Sequence, residues 1–335
     1  MKYFFVAGEA SGDLHASNLI KGLKEYDSNP VMKGWGGGLM QQQGVEITKP
    51  ISELSFMGFT EVLKNIRTIR NNFKQCYREI EEFKPDAVIL IDFPGFNLRV
   101  ARRIFGTVPR VYYYISPTVW AWHRSRIYTV RDYTSRMFVI LPFEKDFYAR
   151  FGIAVDYEGH PLLDAITEDA PIAPKNEHIA LLPGSRRQEI SAMLPVMLKV
   201  AEKLGNQYSY TLAAAPNIPD EFYFDMIGQT AVKLSREGTR SVLNGSLAAM
   251  VTSGTATLET ALSGIPQVVC YTTSPVSYWI ARTLVDVKYI SLVNLILNEP
   301  LLKELIQSDL NVDSLYSEVK AILPGGNRRE VLLDG

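Results

Sequence analysis

Short apolar runs without alternation recur along this chain, each ending in a turn and followed by a stretch of helical length. Eight of them stand at residues 3–7, 87–92, 111–115, 137–141, 178–182, 208–213, 248–252 and 267–270. A strand that faces water on one side alternates apolar with polar residues. Several of these runs do not alternate, so they must be covered on both faces. Helices between the strands supply that cover, and such connections make the strands parallel. The rhythm breaks at residues 164–177, "DAITEDAPIAPKNE", where Pro171 and Pro174 suit a linker. It then restarts. The expected fold is α/β, with two Rossmann-like doubly wound domains, residues 1–165 and 166–335, and a cleft between them.

The chain has 335 residues, 47% of them hydrophobic, which is enough for two cores. A net charge of −1 argues against a general nucleic-acid binder. Basic side chains are in excess up to Asp156 and acidic ones after it. Cys76 and Cys270 offer neither a disulfide framework nor a zinc site, and a reducing compartment fits them. His15, His160 and His178 are too scattered to suggest a metal, so neither metal nor cofactor is expected. Met1 leads straight into the first run, so no signal peptide is expected. No apolar run reaches the ~18 residues of a spanning helix. A cytoplasmic protein is expected, with attachment to a membrane surface left open.

In doubly wound sheets ligands bind beyond the carboxyl ends of the strands. The loops after the runs are therefore the candidates. "FVAGEASGDLH", residues 5–15, is a strand, a glycine turn and a helix, the usual setting of a phosphate cradle. It carries two acids, Glu9 and Asp13, and no lysine. "LLPGSRRQEI", residues 181–190, joins Gly184, Ser185 and Arg186 ahead of a helix start near Arg187 and suits phosphate oxygens. "TSGTATLETALSGIP", residues 252–266, repeats that pattern with Ser253, Gly254 and Thr255. Glu259 stands one helical turn beyond Thr255, either to accept ribose hydroxyls or as a solvated acid.

"VILIDFPGFNLRVARR", residues 88–103, places Asp92 at a strand end. Desolvation there makes a carboxylate a better base. The other reading is a helix cap, a task Asn97 could equally serve. In "YYYISPTVWAWHRSRIYTVRD", residues 112–132, aromatics crowd a strand end, as a sugar site or as core, and His123, Arg124 and Arg126 favour an anionic ligand. Residues 54–82 hold a helical apolar stripe, Val62 to Ile80, which is best read as core-facing. Lys64, Arg67 and Arg70 flank it, and Phe56, Met57 and Phe59 precede it in a loop. Basic and apolar groups side by side suit an anionic membrane surface.

Seven strings occur in order: "GEASGD" at 8–13, "SPTVWAW" at 116–122, "LPFEK" at 141–145, "GHPLLD" at 159–164, "LLPGSRRQEI" at 181–190, "SGTATLE" at 253–259 and "YISLVNLI" at 289–296. As an ordered set covering essentially the whole chain, they closely resemble the lipid-A-disaccharide synthases. The resemblance implies a metal-independent glycosyltransferase of GT-B architecture. Its implied reaction moves 2,3-diacylglucosamine from UDP to the 6-hydroxyl of 2,3-diacylglucosamine 1-phosphate. The product is a β1→6 disaccharide, formed with inversion at the inner face of the inner membrane.

On that footing the C-terminal domain holds UDP through Gly184, Ser185, Arg186, Ser253, Gly254 and Thr255, with Glu259 on ribose and Asn294 on the donor side. The N-terminal domain holds the acceptor, with Ser11, Asp13 and Asn97 beside it and Asp92 or Glu9 as the base. Many relatives carry a second acid where Gly95 stands, so the choice narrows to those two. Phe56, Met57, Phe59, Lys64, Arg67 and Arg70 are the expected contacts to acyl chains and lipid surface. Relatives usually continue past "GGNRREVLLDG", so truncation is expected, and a homo-oligomer is left open. The rival readings are another UDP-sugar GT-B enzyme, such as a UDP-N-acetylglucosamine 2-epimerase, and a non-catalytic nucleotide-sugar binder.

Overall fold

A computed structural model describes residues 1–54, 66–167, 177–274, 278–279, 282–283 and 287–335. The chain divides into two compact units, Met1–Pro161 and Leu162–Gly335. The first holds β1 (Lys2–Ala7), β2 (Val31–Gly36), β3 (Glu46–Pro50), β4 (Ala87–Ile91), β5 (Val111–Tyr114), β6 (Arg136–Val139) and β7 (Asp156–Tyr157). The second holds β8 (His178–Leu182), β9 (Ser209–Ala213), β10 (Val232–Ser235), β11 (Ala248–Thr252), β12 (Gln267–Tyr271) and β13 (Glu304–Ile306). Their orders are β3-β2-β1-β4-β5-β6-β7 and β10-β9-β8-β11-β12-β13, and every pairing is parallel. Each order reverses direction once, between β1 and β4 and between β8 and β11, which is the doubly wound arrangement.

The unbroken apolar runs follow from burial on both faces. In β1, Phe4 and Val6 pack on one side with Trp35, Phe96 and Tyr113. Phe5 and Ala7 pack on the other with Ala16, Ile20 and Met40. In β8, Ile179 and Leu181 meet Met193 and Met197 of the helix Arg187–Leu204, while Ala180 and Leu182 meet Val242 and Leu243.

All eight expected strands are present, and β2, β3, β7, β10 and β13 join them. β2 was hidden by Gly34, which reads as a turn. The main chain of Phe5 passes so close that a Cβ at Gly34 would have no room. The other four are edge or near-edge strands, short or rich in polar residues, where no apolar run is required.

In the helix Ile66–Phe83 the expected stripe faces the core from Phe73 to Ile80, while Val62 and Leu63 lie outside the described residues. Ile80 and Cys76 are buried, and Phe73 stacks on Phe96 with ring centroids 4.3 Å apart. Arg67 and Arg70 are exposed. Phe56, Met57, Phe59 and Lys64 lie outside the described residues. Among the described residues no helix is long and apolar enough to cross a membrane.

Candidate active site

Glu9 follows β1 and Asp92 follows β4, so the two acids stand at the carboxyl ends of neighbouring strands where the order reverses. The chain passes Asp92 under strain. Asp92 has φ +46° and Phe93 φ +49°, a left-handed region that costs a residue with a Cβ about 1–3 kcal/mol. The surroundings hold it there. The Asp92 carbonyl accepts from Asn97 Nδ2 at 2.8 Å and from the Tyr113 hydroxyl at 2.7 Å, and the Asp92 N–H donates to the Tyr114 carbonyl at 2.9 Å. Phe93 then takes the cap position, and Pro94 opens the helix Pro94–Ile104.

The carboxyl that this geometry presents is not an ordinary one. Burial pushes it up to about 6, and the neighbouring charge of Glu9 adds to the rise, while the Phe93 N–H opposes it. Such a group is ionised at neutral pH yet holds a proton well, as a general base should.

The glycine turn after β1 serves packing. An added Cβ at Gly8 would collide with the Phe93 ring, so Gly8 is what lets the β1 and β4 turns close on each other. Glu9, half-buried, holds the cap position of the helix Ala10–Tyr26. Ser11 is exposed on its first turn.

Asp13 turns the other way. It is buried, and its carboxylate accepts from the main-chain N–H groups of Gly37, Leu39 and Met40 at 2.8–3.1 Å. A Cβ on Gly37 would collide with that carboxylate. Asp13 thus ties the β2 turn to the first helix, a structural task in place of the expected place beside the acceptor. Asn97 is also fully buried. Its amide nitrogen reaches the carbonyls of Val6, Ile91 and Asp92, so it faces the main chain around Asp92.

In the second unit, Gly184 follows β8 with φ +110°, and a Cβ there would meet Glu189 Oε2 at 2.7 Å. The N–H groups of Ser185 and Arg186 donate to that same oxygen at 3.1 and 3.3 Å. The Arg186 guanidinium lies 3.2 Å from Glu189 Oε1. The groups expected to hold phosphate thus converge on a carboxylate of the chain itself. That ion pair is half-exposed, of a kind worth about 0–1 kcal/mol.

β11 is the neighbour of β8, and the loop after it carries Ser253 and Gly254, with Thr255 opening the helix Thr255–Leu262. Ser253 Oγ donates its one O–H to the Ile290 carbonyl at 2.8 Å, so in this arrangement the hydroxyl is not the donor to phosphate that the sequence suggested. Gly254 has φ +151°, and Gly254 and Thr255 are exposed. Glu259 is half-buried; burial raises its carboxyl, and the charge of Arg240 opposes the rise.

Asn294 is placed differently from the expectation. It is buried, its amide donates to the Leu302 carbonyl and the Glu304 carboxylate, and its oxygen accepts from the Leu302 N–H. All of these groups belong to the fold, so the side chain braces the stretch before β13.

Three groups that the sequence reading passed over also shape the first unit. Tyr113 clamps Asp92 from β5, and no local signal marks it. Glu144 is buried, accepts from the Ile140 and Leu141 N–H groups, and is pushed up to about 7 by burial. Ser116 Oγ lies 2.8 Å from the Tyr148 hydroxyl and fixes the start of the loop after β5. His15 and His160 are both buried and lowered to about 4, chiefly by burial, so both are neutral at pH 7. Among the described residues no group of three His, Cys, Asp or Glu is placed to hold a metal.

This architecture occurs in known enzymes. A UDP-GlcNAc 2-epimerase from Methanocaldococcus jannaschii, solved with UDP-GlcNAc and UDP, is similar over 98% of this chain and 94% of its own, with TM-score 0.65 and 12% identity. The calicheamicin glycosyltransferase CalG4 is similar over 99% and 92%, with TM-score 0.61 and 14% identity. Both establish the GT-B fold. At the level of sequence, the lipid-A-disaccharide synthase of Syntrophus aciditrophicus is 37% identical over 98% of this chain and 89% of its own. The family description Lipid-A-disaccharide synthetase matches residues 3–331. The chain therefore belongs to the lipid-A-disaccharide synthase family of glycosyltransferases.

Proposed function

We propose that this enzyme transfers 2,3-diacylglucosamine from UDP to the 6-hydroxyl of 2,3-diacylglucosamine 1-phosphate, with inversion, and that Asp92 is the base. The acceptor hydroxyl gives its proton to the Asp92 carboxylate. Its oxygen attacks the anomeric carbon of the donor from the face opposite UDP, and the bond to the diphosphate breaks. Negative charge grows on the leaving diphosphate. Arg186, the N–H groups near Ser185 and the helix start at Thr255 are disposed to bind it, which is stabilisation where charge develops. Glu259 takes the ribose hydroxyls. Glu9 raises the basicity of Asp92 and is the second candidate for the base.

The observation that carries this reading is the state of Asp92. A carboxylate shifted to about 6 stands on a strained turn that two buried side chains hold in place. Strain of this kind persists where function needs the geometry. Peripheral attachment to the inner face of the inner membrane belongs to the same reading, since both sugars carry acyl chains.

The test is release of UDP from UDP-2,3-diacylglucosamine, with and without the acceptor, in wild type and Asp92→Ala. Acceptor-dependent release that collapses in the variant supports transferase and base together. Equal release in both proteins moves the base to Glu9. No release from folded wild type supplied with lipid would sink the assignment.

A further inference from the structure

Arg126 stands out among the arginines of the first unit. It is half-buried at the start of the helix Arg126–Tyr133, and among the described residues no carboxylate pairs with it. Arg131, Arg136 and Arg103, by contrast, meet Asp132, Asp156 and Glu81. A half-buried arginine that no described carboxylate pairs with keeps its planar charge available to an anion from outside.

What Arg126 does touch is Trp122, whose ring centroid lies 5.8 Å from the guanidinium carbon. Trp122 is 44% exposed, and its ring lies against His123 with centroids 4.3 Å apart. An exposed indole with a cation beside it is a platform for a sugar ring that carries an anion.

Its position fits the acceptor. The loop bearing both residues leaves the carboxyl end of β5, next to β4, and the Asp92 N–H bonds the last carbonyl of β5. The charge of Arg126 also reaches the Tyr113 phenol, whose hydroxyl holds the Asp92 carbonyl. The loop is anchored at its start by the Ser116–Tyr148 hydrogen bond, so the platform is held in place.

We propose that Arg126, with Trp122 as its platform, binds the phosphate monoester of the acceptor sugar. The inference rests on reading the first unit as the acceptor side. A planar guanidinium grips a dianionic phosphate through two parallel N–H bonds, which a single ammonium cannot match.

The test compares two acceptors, 2,3-diacylglucosamine with and without its 1-phosphate, in wild type, Arg126→Met and Arg126→Lys. Wild type should prefer the phosphorylated acceptor in kcat/KM by roughly 10- to 100-fold, the range for a hydrogen bond to a charged group. Arg126→Met should collapse that preference towards one through KM, and Arg126→Lys should restore part of it. Equal losses on both acceptors would overturn the proposal and give Arg126 to the chemistry at Asp92.

Vesicle binding without acceptor separates the other source of phosphate. If Arg126→Met weakens binding to phosphatidylglycerol vesicles relative to phosphatidylcholine, Arg126 reads lipid headgroups and the proposal fails. Transfer to both acceptors equally well by wild type would also defeat it while keeping the transferase. No transfer by wild type, together with tryptophan quenching by the sugar 1-phosphate that Trp122→Phe and Arg126→Met abolish, would defeat the transferase and keep the site.

Discussion

The amide nitrogen of Asn97 lies 2.8 Å from the main-chain oxygen of Asp92, and Asn97 itself has no exposed surface. The same nitrogen also reaches the carbonyls of Val6 and Ile91, so one buried side chain joins the ends of β1 and β4. Replacing it by alanine removes this donor from all three carbonyls and leaves the Asp92 carbonyl to the Tyr113 hydroxyl alone. Asn97→Ala should lose roughly 1–3 kcal/mol of stability in urea unfolding, and more activity than that loss accounts for. Unchanged stability would mean that the clamp is not needed to hold the turn.

Asp92 should trade stability against activity. Its folded value of about 6 lies above the ordinary carboxyl value of 3.8. Below pH 3.8 the carboxyl is protonated in both states and has no net effect. As pH rises towards 6 the unfolded chain releases its proton first, so stability falls, and above 6 the full penalty remains. Asp92→Asn removes the buried charge and tolerates a positive φ. It should be inactive and, at pH 7, roughly 1–2 kcal/mol more stable, with little of this pH dependence. Thermal unfolding of the two proteins at pH 4 and pH 7 measures it. A variant less stable than wild type at pH 7 would contradict the account.

The two candidate bases separate by the direction of a shift. With Asp92 as base, acceptor-dependent kcat/KM should rise through about pH 6 and level off. Glu9 contributes a neighbouring negative charge, so Glu9→Gln should move this limb to lower pH while activity survives. If Glu9→Gln abolishes activity and Asp92→Asn does not, the roles are reversed.

Glu189 occupies the donors expected to receive phosphate, and Glu189→Ala empties them. The helix Arg187–Leu204 should lose about 0.5–1 kcal/mol of capping, while UDP should bind several-fold tighter because a competing anion is gone. Titration calorimetry with UDP decides this. Unchanged or weaker binding would mean that the carboxylate does not compete for the site.

How far the sequence could be read depends on what each residue faces. The centres of β1, β4, β8 and β11 were legible because burial on both faces demands unbroken apolar runs. The loops after these four strands stood out as candidates because a doubly wound order sends ligands there. Direction was not. Asp13, Asn97 and Asn294 lie in motif strings beside site residues, yet each turns inward to bond main-chain groups of the fold, far along the chain for Asp13 and Asn97 and eight residues on for Asn294. A string of letters records a polar residue and not the side on which its partner waits. The clamp on Asp92 was invisible for a related reason. Tyr113 reads as strand core, and the left-handed turn at Asp92 and Phe93 carries no glycine to announce it.

The basic flank of the helix Ile66–Phe83 offers a last prediction. Its apolar side is taken up by the core, where Cys76 and Ile80 are buried, so that side is not available to lipid. Arg67 and Arg70 are exposed and remain available. If the enzyme docks on an anionic membrane through this flank, each charge adds about 1 kcal/mol near the surface, an effect that fades within a Debye length. Arg67→Ala with Arg70→Ala should therefore weaken binding to phosphatidylglycerol vesicles by roughly 10- to 30-fold at low salt, and far less at high salt. Phe56→Ser with Phe59→Ser should weaken binding at both salt concentrations, because an apolar insertion is not screened. Vesicle co-sedimentation at two ionic strengths distinguishes the contributions. If all four substitutions together leave binding unchanged, this flank and its lead-in are not the docking face.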